Sequence, residues 1–352
     1  MELLANATYR KDVEHSLSSI VCLDELRGKS VLITGASGLI GSTLVDQLLF
    51  LNQVRDFDIE IYCCGRNLSS LEERFGKEIS HLHFIFYDAT QVPDFKMTVD
   101  FVIHAASPAS PELYVQQPVE TMTSNFMGMY HLLSYAKDAG VSNLVYVSSS
   151  EVYGASSTAQ PLAEDFIGEV DHLHVRSSYA SSKRATETLC VSFASEYDLK
   201  ISIVRPGHIY GPSAKGSDNR VSSFFMNEAL AGRDLVMKST GSQLRSYCYS
   251  LDCASAILTV LLAGTSSQAY NISNPTSIIT IKQMAEVIAQ VGEVALVMDL
   301  PTEQDRKQAN PMQNASLTSD KLEGLGWKGL FDAKTGFGHT YQILKEFARA
   351  NK

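Results

Sequence analysis

The chain carries two runs of residues whose types and spacing could do chemistry. The first is Gly35-Ala-Ser37-Gly38-Leu39-Ile40-Gly41, a G-x-x-G-x-x-G run that follows an apolar stretch and opens a helical one. Glycines there let the backbone turn tightly and approach a pyrophosphate, which favours the free N–H groups and positive dipole end of a helix. The second is Tyr179-Ala-Ser-Ser-Lys183, preceded by Ser148-Ser149-Ser150-Glu151 at the end of another apolar run. Tyrosine and lysine four apart on a helix share one face. An ammonium beside a phenol, near the positive nicotinamide ring of a dinucleotide, lowers a phenol pKa that starts near about 10. Such a phenol takes a proton from a sugar hydroxyl while hydride leaves for the nicotinamide, and Ser149 hydrogen-bonds the same oxygen. Either run alone is commonplace. Their order carries the reading: glycine turn first, serine at a strand end, then Tyr–Lys.

The identity of the dinucleotide turns on the second strand. An acidic residue at its end would hold the ribose hydroxyls of NAD. The run is instead Cys63-Cys64-Gly65-Arg66-Asn67. With the acid missing, Arg66 can hold a 2′-phosphate, which favours NADP(H); a solvated loop arginine is the alternative. Asp88-Ala89-Thr90, after the third strand, would sit beside the adenine.

These residues need elements to position them. The short apolar runs 30–34, 59–64, 82–87, 101–103, 143–147 and 200–204 are rich in β-branched or aromatic residues, as buried parallel strands are. Helical patterns over 39–51, 119–139 and 179–197 lie between them. The alternation predicts an α/β fold, a Rossmann-type doubly wound parallel sheet over residues 28–205. After Pro206 the rhythm changes to a Gly/Pro cluster and isolated helices at about 221–231, 252–263 and 281–292. That half, 206–352, reads as a smaller α/β substrate-binding domain, with later segments able to rejoin the sheet. Residues 1–27 read as a lead-in helix packed on the surface.

A length of 352 residues suits about two domains. With 45% hydrophobic and 19% charged residues the composition is that of an ordinary globular protein, which argues against disorder. The net charge of −10 leaves no electrostatic footprint for nucleic acid and would be repelled by an anionic membrane. The longest apolar stretch, about 253–263, is too short to span a bilayer, and residues 1–12 show no leader pattern. The 6 cysteines show no C-x-x-C pair and no metal-ligand spacing. They read as small buried hydrophobes in a reducing compartment, with no metal site. The expectation is a cytoplasmic enzyme of small molecules, without nucleic-acid or membrane partners.

On these motifs the chain resembles the extended short-chain dehydrogenase/reductases, the nucleotide-sugar epimerase/dehydratase family, across nearly its whole length. The family's Ser–Tyr–Lys triad carries onto Ser149, Tyr179 and Lys183. Four details are similar to the UDP-glucuronate decarboxylases within it. They are His104-Ala-Ala-Ser-Pro-Ala-Ser-Pro111, Ser149-Ser-Glu151-Val-Tyr-Gly154, Arg176 just ahead of Tyr179, and Gly241-Ser-Gln-Leu-Arg245. The dTDP-glucose dehydratases carry an Asp where Ser150 stands, so that activity fits less well.

The resemblance implies that Glu151 and Arg245 serve chemistry at sugar C5 and substrate binding, with Ser107, Ser150, Arg176 and Arg220 completing the substrate site. It implies a cofactor set of Gly35, Ser37, Gly38, Leu39, Ile40, Gly41, Arg66, Asn67, Asp88, Ala89, Ala105 and Ala106, with Tyr179 and Lys183 at the nicotinamide. Asn125 joins a water relay or only stabilises its helix. His104 reads as a core histidine beside the cofactor, and Tyr247 and Tyr249 as packing. A homodimer acting on a nucleotide-diphosphate sugar is the implied assembly. The leading function is oxidation of the sugar at C4 followed by decarboxylation. An NADPH-dependent reductase, or an epimerase, of a nucleotide-linked keto-sugar is the runner-up. A non-catalytic NADP-binding sensor is a third reading, from a different class.

Overall fold

The computed structural model describes residues 2–108, 111–216, 218–299 and 313–350; Ala109 and Ser110 of the His104–Pro111 run lie outside the described residues. The apolar runs form β1 (Ser30–Thr34), β2 (Glu60–Gly65), β3 (Leu82–Phe86), β4 (Phe101–His104), β5 (Asn143–Val147) and β6 (Ile201–Pro206). Beyond them come β7 (His208–Tyr210), β8 (Leu235–Met237), β9 (Leu244–Tyr249), β10 (Ala269–Ile272), β11 (Ile278–Thr280), β12 (Leu296–Met298) and β13 (Asn314–Ala315). The first six strands and β10 make one 7-stranded sheet in the order β10-β6-β5-β4-β1-β2-β3. Every pairing in it is parallel.

The helices are α1 (Ala7–Ser16), α2 (Leu39–Arg55), α3 (Leu68–Phe75), α4 (Pro111–Gln116), α5 (Pro118–Ala139), α6 (Ser177–Tyr197), α7 (Val221–Leu230), α8 (Ser250–Ala263) and α9 (Ile281–Gly292), with a short turn at Asp320–Glu323 and a C-terminal helix, Ala333–Ala350. Strand alternation sorts the core onto two faces. Val31 and Ile33 of β1 point to the face covered by α2 and α8, whereas Leu32 packs with Met129, Leu132 and Leu133 of α5 and Cys190 and Phe193 of α6. The order reverses at β1, whose neighbours are β2 and β4, and such a switch opens a crevice at the carboxyl ends of the strands.

Two expectations change. Residues 1–27 are not surface packing: Leu3, Tyr9, Val13, Leu17 and Leu26 belong to the core that α2, α8 and the C-terminal helix share. The Tyr9 hydroxyl donates to Asp46 of α2 at 2.7 Å, and Asp46 also pairs with Arg74 of α3. The physical reason is that α8 is buried all round, every residue from Ser250 to Leu261 being out of solvent, so the sheet alone cannot cover it. Cys22 is exposed, unlike the other cysteines, because it lies in the left-handed turn leaving this segment.

The second half also contains strands that its sequence does not announce. β9 is flanked by β11 and β13 and also pairs with β7, while β12 pairs with β8. Most are only two or three residues long, too short for a period to show. No helix among the described residues is long and apolar enough to cross a membrane. Leu17→Ala should cost about 2–4 kcal/mol in denaturant unfolding, whereas Ser18→Ala, one residue on and exposed, should stay within about 0.5 kcal/mol. Equal, small effects would return residues 1–27 to the surface.

Candidate active site

The glycine run is shaped by close approach. Gly35 has φ +70°, and a Cβ there would lie 2.8 Å from the backbone of Ala105 and Ala106, where β4 ends. A Cβ on Gly41 would lie 2.3 Å from the Gly35 carbonyl oxygen. Gly38 is the N-cap of α2, and no side chain caps that helix end. Ser37, Leu39 and Ile40 line its half-buried rim. Thr34 steadies the facing strand: its hydroxyl meets His104 Nδ1 at 2.8 Å and accepts from the Ala106 N–H at 3.2 Å. His104 is neutral, its imidazole pulled down to about 3 by burial and by the Lys183 charge. A groove that a single methyl would fill, ending at an uncapped helix, fits the pyrophosphate of a dinucleotide.

At the far end, Arg66 is exposed just after β2. Asp88 follows β3, its carboxylate held below the usual range by the Thr90 N–H and hydroxyl and by the Arg66 charge. Asn67 has a structural task instead: its side chain caps α3 by accepting from the Ser70 N–H at 3.1 Å. Ala89 is approached so closely by Gly128 of α5 that a Cβ on Gly128 would lie 2.8 Å away.

The chemistry-bearing residues meet where β5 and β4 end. Ser149 follows the end of β5 by two residues, and its Oγ accepts from the Glu151 N–H at 3.2 Å, opening a single helical turn at Ser150–Tyr153. Tyr179, in the first turn of α6, has its hydroxyl among the side chains of Ser149, Tyr114 and Ser107. Tyr114, on α4, stacks on Tyr179 with ring centroids 4.2 Å apart and planes 9° from parallel. Ser107 donates to Asn125 Oδ1 at 2.7 Å, and Asn125 Nδ2 donates to Ser182 Oγ at 3.0 Å. Lys183 is buried, donating to the Val147 carbonyl at 2.9 Å above the Tyr146 ring.

The electrostatics differ from the sequence expectation. Burial, with the Glu151 charge adding to it, pushes the Tyr179 phenol up to about 12 against the lowering effect of the Ser149, Tyr114 and Ser107 side chains. Burial also pulls Lys183 down to about 7. The chain by itself therefore supplies no depressed phenol: desolvation outweighs the neighbouring ammonium. Glu151 is likewise raised by desolvation, with the exposed Arg176 pulling the other way.

A second group lies on the other half of the chain. Arg245 of β9 is buried and donates from Nη1 to the Leu244 carbonyl at 2.8 Å. Arg220 donates to the Ile209 carbonyl at 3.0 Å and pairs with Asp218 at 2.5 Å. Beside them, at the start of β7, is His208, its imidazole held down to about 3 by burial and by the Arg245 and Arg220 charges. Tyr247 and Tyr249 are buried. Ser149, Glu151, Tyr179, Lys183, Ser107, Ser150 and Arg176 thus gather at one edge, and Arg220 with Arg245 at another. Sequence reasoning missed Tyr114, His208 and Gly128. Tyr114 stands three residues beyond the His104–Pro111 run compared with the decarboxylases, and no spacing rule marks it. Among the described residues no cluster of three or more His, Cys, Asp or Glu could hold a metal ion.

The family model described as "NAD dependent epimerase/dehydratase family" matches residues 31–273. UDP-glucuronic acid decarboxylase 6 of Arabidopsis thaliana is 33% identical over 302 residues, 85% of this chain and 83% of that protein. UDP-glucuronic acid decarboxylase 1 of Xenopus tropicalis is 28% identical over 92% of this chain and 74% of its own. Among solved structures, an epimerase from Methanothermobacter thermautotrophicus shares the fold with a TM-score of 0.80 at 21% identity, covering 96% of each chain. The dTDP-glucose 4,6-dehydratase of Bacillus anthracis, in complex with NAD, shares it with a TM-score of 0.75 at 19% identity, over 91% of this chain and 98% of that one. With the family model spanning well over half its length, the chain belongs to the NAD dependent epimerase/dehydratase family, the extended short-chain dehydrogenase/reductases that act on nucleotide sugars.

Proposed function

We propose that the protein is a nucleotide-sugar decarboxylase that oxidises C4 of a UDP-linked hexuronate through Ser149, Tyr179 and Lys183. One observation carries the reading: a desolvated carboxyl, Glu151, stands beside the Tyr179 hydroxyl with the Arg176 guanidinium near it. The relatives named as UDP-glucuronic acid decarboxylases support it. A bound nicotinamide dinucleotide would supply the acceptor for the electron pair of the sugar C4–H bond. Gly35, Gly38 and Gly41 would hold its pyrophosphate, Ala105 and Ala106 its inner face, and Asp88 and Ala89 its adenine end. The division into a cofactor half, 28–205, and a substrate-facing remainder, 206–352, belongs to the same reading.

Tyr179 takes the C4 hydroxyl proton, oriented by Ser149 and Ser107. The high phenol pKa means that this step needs extra positive charge at the site, which Lys183 gives in its cationic form and a cationic nicotinamide would reinforce. Oxidation leaves a 4-ketone β to the C5 carboxylate. The bond from C5 to the carboxylate then breaks, its electrons flow into the ketone, and C5 must regain a proton; return of the hydride to C4, with the proton held on Tyr179, would restore the alcohol and leave the cofactor as it began. Glu151, raised by burial, has the character of that proton donor. Arg176, and Arg245 with Arg220, supply cations for the carboxylate and the diphosphate. A plain reductase needs Tyr179 and Lys183 but not Glu151; the exposed Arg66 at the end of β2 is the observation that favours this second reading, with NADPH as cofactor.

A homodimer belongs to this proposal. Val119, Met122, Phe126 and Tyr130, three or four apart on α5, are exposed, as are Val191 and Tyr197 on α6. Those two helices pack side by side, so a second copy could cover both rows.

Tyr179→Phe should lower turnover of UDP-glucuronate by about 10²–10⁴-fold, and Glu151→Gln should abolish formation of the decarboxylated product while slow cofactor reduction persists. Normal turnover in Glu151→Gln would leave the reductase. Arg66→Ala should weaken NADP(H) by about 1.5–3 kcal/mol and NAD(H) much less, measured by fluorescence titration; equal losses would make Arg66 a loop residue. Gly41→Ala should weaken either dinucleotide at least about tenfold. Gly216→Ala, where a Cβ meets nothing within 4 Å, should leave binding unchanged.

A further inference from the structure

Glu187 lies one turn beyond Lys183 on α6 and is buried, yet the chemistry above gives it no task. Its Oε1 accepts from Ser148 Oγ at 2.6 Å and from Arg205 Nε at 3.0 Å, and its Oε2 accepts from Arg205 Nη2 at 2.6 Å. Arg205, on β6, also donates through Nη1 to the Tyr153 hydroxyl at 3.0 Å and to the Glu164 carbonyl at 2.8 Å. Tyr153 in turn donates to Asn271 Oδ1 of β10 at 2.5 Å. One carboxylate therefore joins the helix that bears Tyr179 and Lys183 to the strand end that bears Ser148 and Ser149. For stability alone a buried pair of this kind gains little, because desolvating both charges offsets their attraction. Its location beside the Tyr–Lys pair points to another role.

We infer that Glu187 is a positioning residue for Tyr179 and Lys183: gripped by Arg205 and Ser148 one turn along α6, its carboxylate ties the helix that carries them to the strand ends and brings a negative charge to their dry site. Only the use made of that charge rests on the nucleotide-sugar reading. The groups facing Lys183 are His104 from β4, Tyr146 and the Val147 carbonyl from β5, and Tyr179, Glu187 and Cys190 from α6. His104 is neutral at ordinary pH, and burial pushes the Tyr146 and Tyr179 phenols and the Cys190 thiol upward, so none of these is an anion there. Glu187 alone among them brings negative charge, tempered by its partner Arg205 and by Arg184 nearby. Desolvation pulls Lys183 down, and Glu187 is the main force holding it up. Without that charge the lysine loses its proton at a lower pH.

The test follows the lysine directly, in the whole chain without substrate. With ¹³C-labelled lysine, the Lys183 side-chain signal, identified by its loss in Lys183→Arg, is titrated against pH by NMR. The wild-type midpoint should lie at about 7. Glu187→Gln should lower it by about one pH unit, while Glu187→Asp, which keeps the charge, should stay within about 0.3 units of wild type. A Glu187→Gln midpoint that does not move, with only the melting temperature lowered, would make Glu187 structural and overturn the inference. Should Glu187→Gln not fold, Glu187→Asp decides: a midpoint displaced by a unit or more, with the charge still present, overturns it equally. The titration stands apart from the choice of substrate. If UDP-glucuronate is not turned over, the decarboxylase reading fails while the lysine result remains. If it is, the alkaline limb of kcat/KM should move to lower pH in Glu187→Gln and not in Glu187→Asp.

Discussion

Lys183 is placed out of water, 1% exposed, and donates to the Val147 carbonyl. The cost of removing an ammonium from water is several kcal/mol, and burial accordingly pulls the Lys183 pKa down to about 7. Much of the surrounding architecture answers that cost. β5 contributes the Val147 carbonyl and the Tyr146 ring, and two residues past its end stands Ser149, beside Tyr179. α6 can present Tyr179 and Lys183 together only because it packs along α5 and is tied back to β5 and β6 through Glu187. The phenol shares the same dry site, and its high pKa follows from the same desolvation.

The cofactor end depends on contact rather than charge. Gly35 and Gly41 are there because backbone occupies the space a side chain would need. That approach is firm only if α2 is firm, and α2 is buried along Gly41–Leu51 by α8 on one flank and α1 on another. The N-terminal residues thus bear on the dinucleotide groove through two layers of packing, although they lie far from it in sequence.

Most of the sheet was legible because parallel buried strands are continuous apolar runs of four to six residues, and all six such runs became strands. The strands of the second half were not, since β8 or β12 offers three residues and no period. The position of α1 was illegible for a related reason: Tyr9 and Val13 mark a face, but nothing local says that α8 lacks a cover. Within the site, the glycine run and Tyr179–Lys183 could be read because each has a spacing with a physical cause. Tyr114 and His208 could not, because their neighbours come from other elements. Glu187 stood in view, four residues after Lys183, but its meaning required Arg205 from β6. In the chain alone the Tyr179 phenol is raised rather than lowered, because burial counts for more than the neighbouring charge.

What separates the candidate reactions is the fate of the carbon next to the oxidised one. Glu151 beside Tyr179, with Arg176 near it, favours loss of a carboxylate, whereas the Arg66 end of the groove would suit a reductase. The direct measurement is the mass of the product formed from UDP-glucuronate by the whole chain with NAD or NADP. The account predicts a UDP-sugar lighter by one carbon dioxide, with no net change in cofactor absorbance. An unchanged substrate, or a product gaining two hydrogens from a keto-sugar at the expense of NADPH, would contradict it.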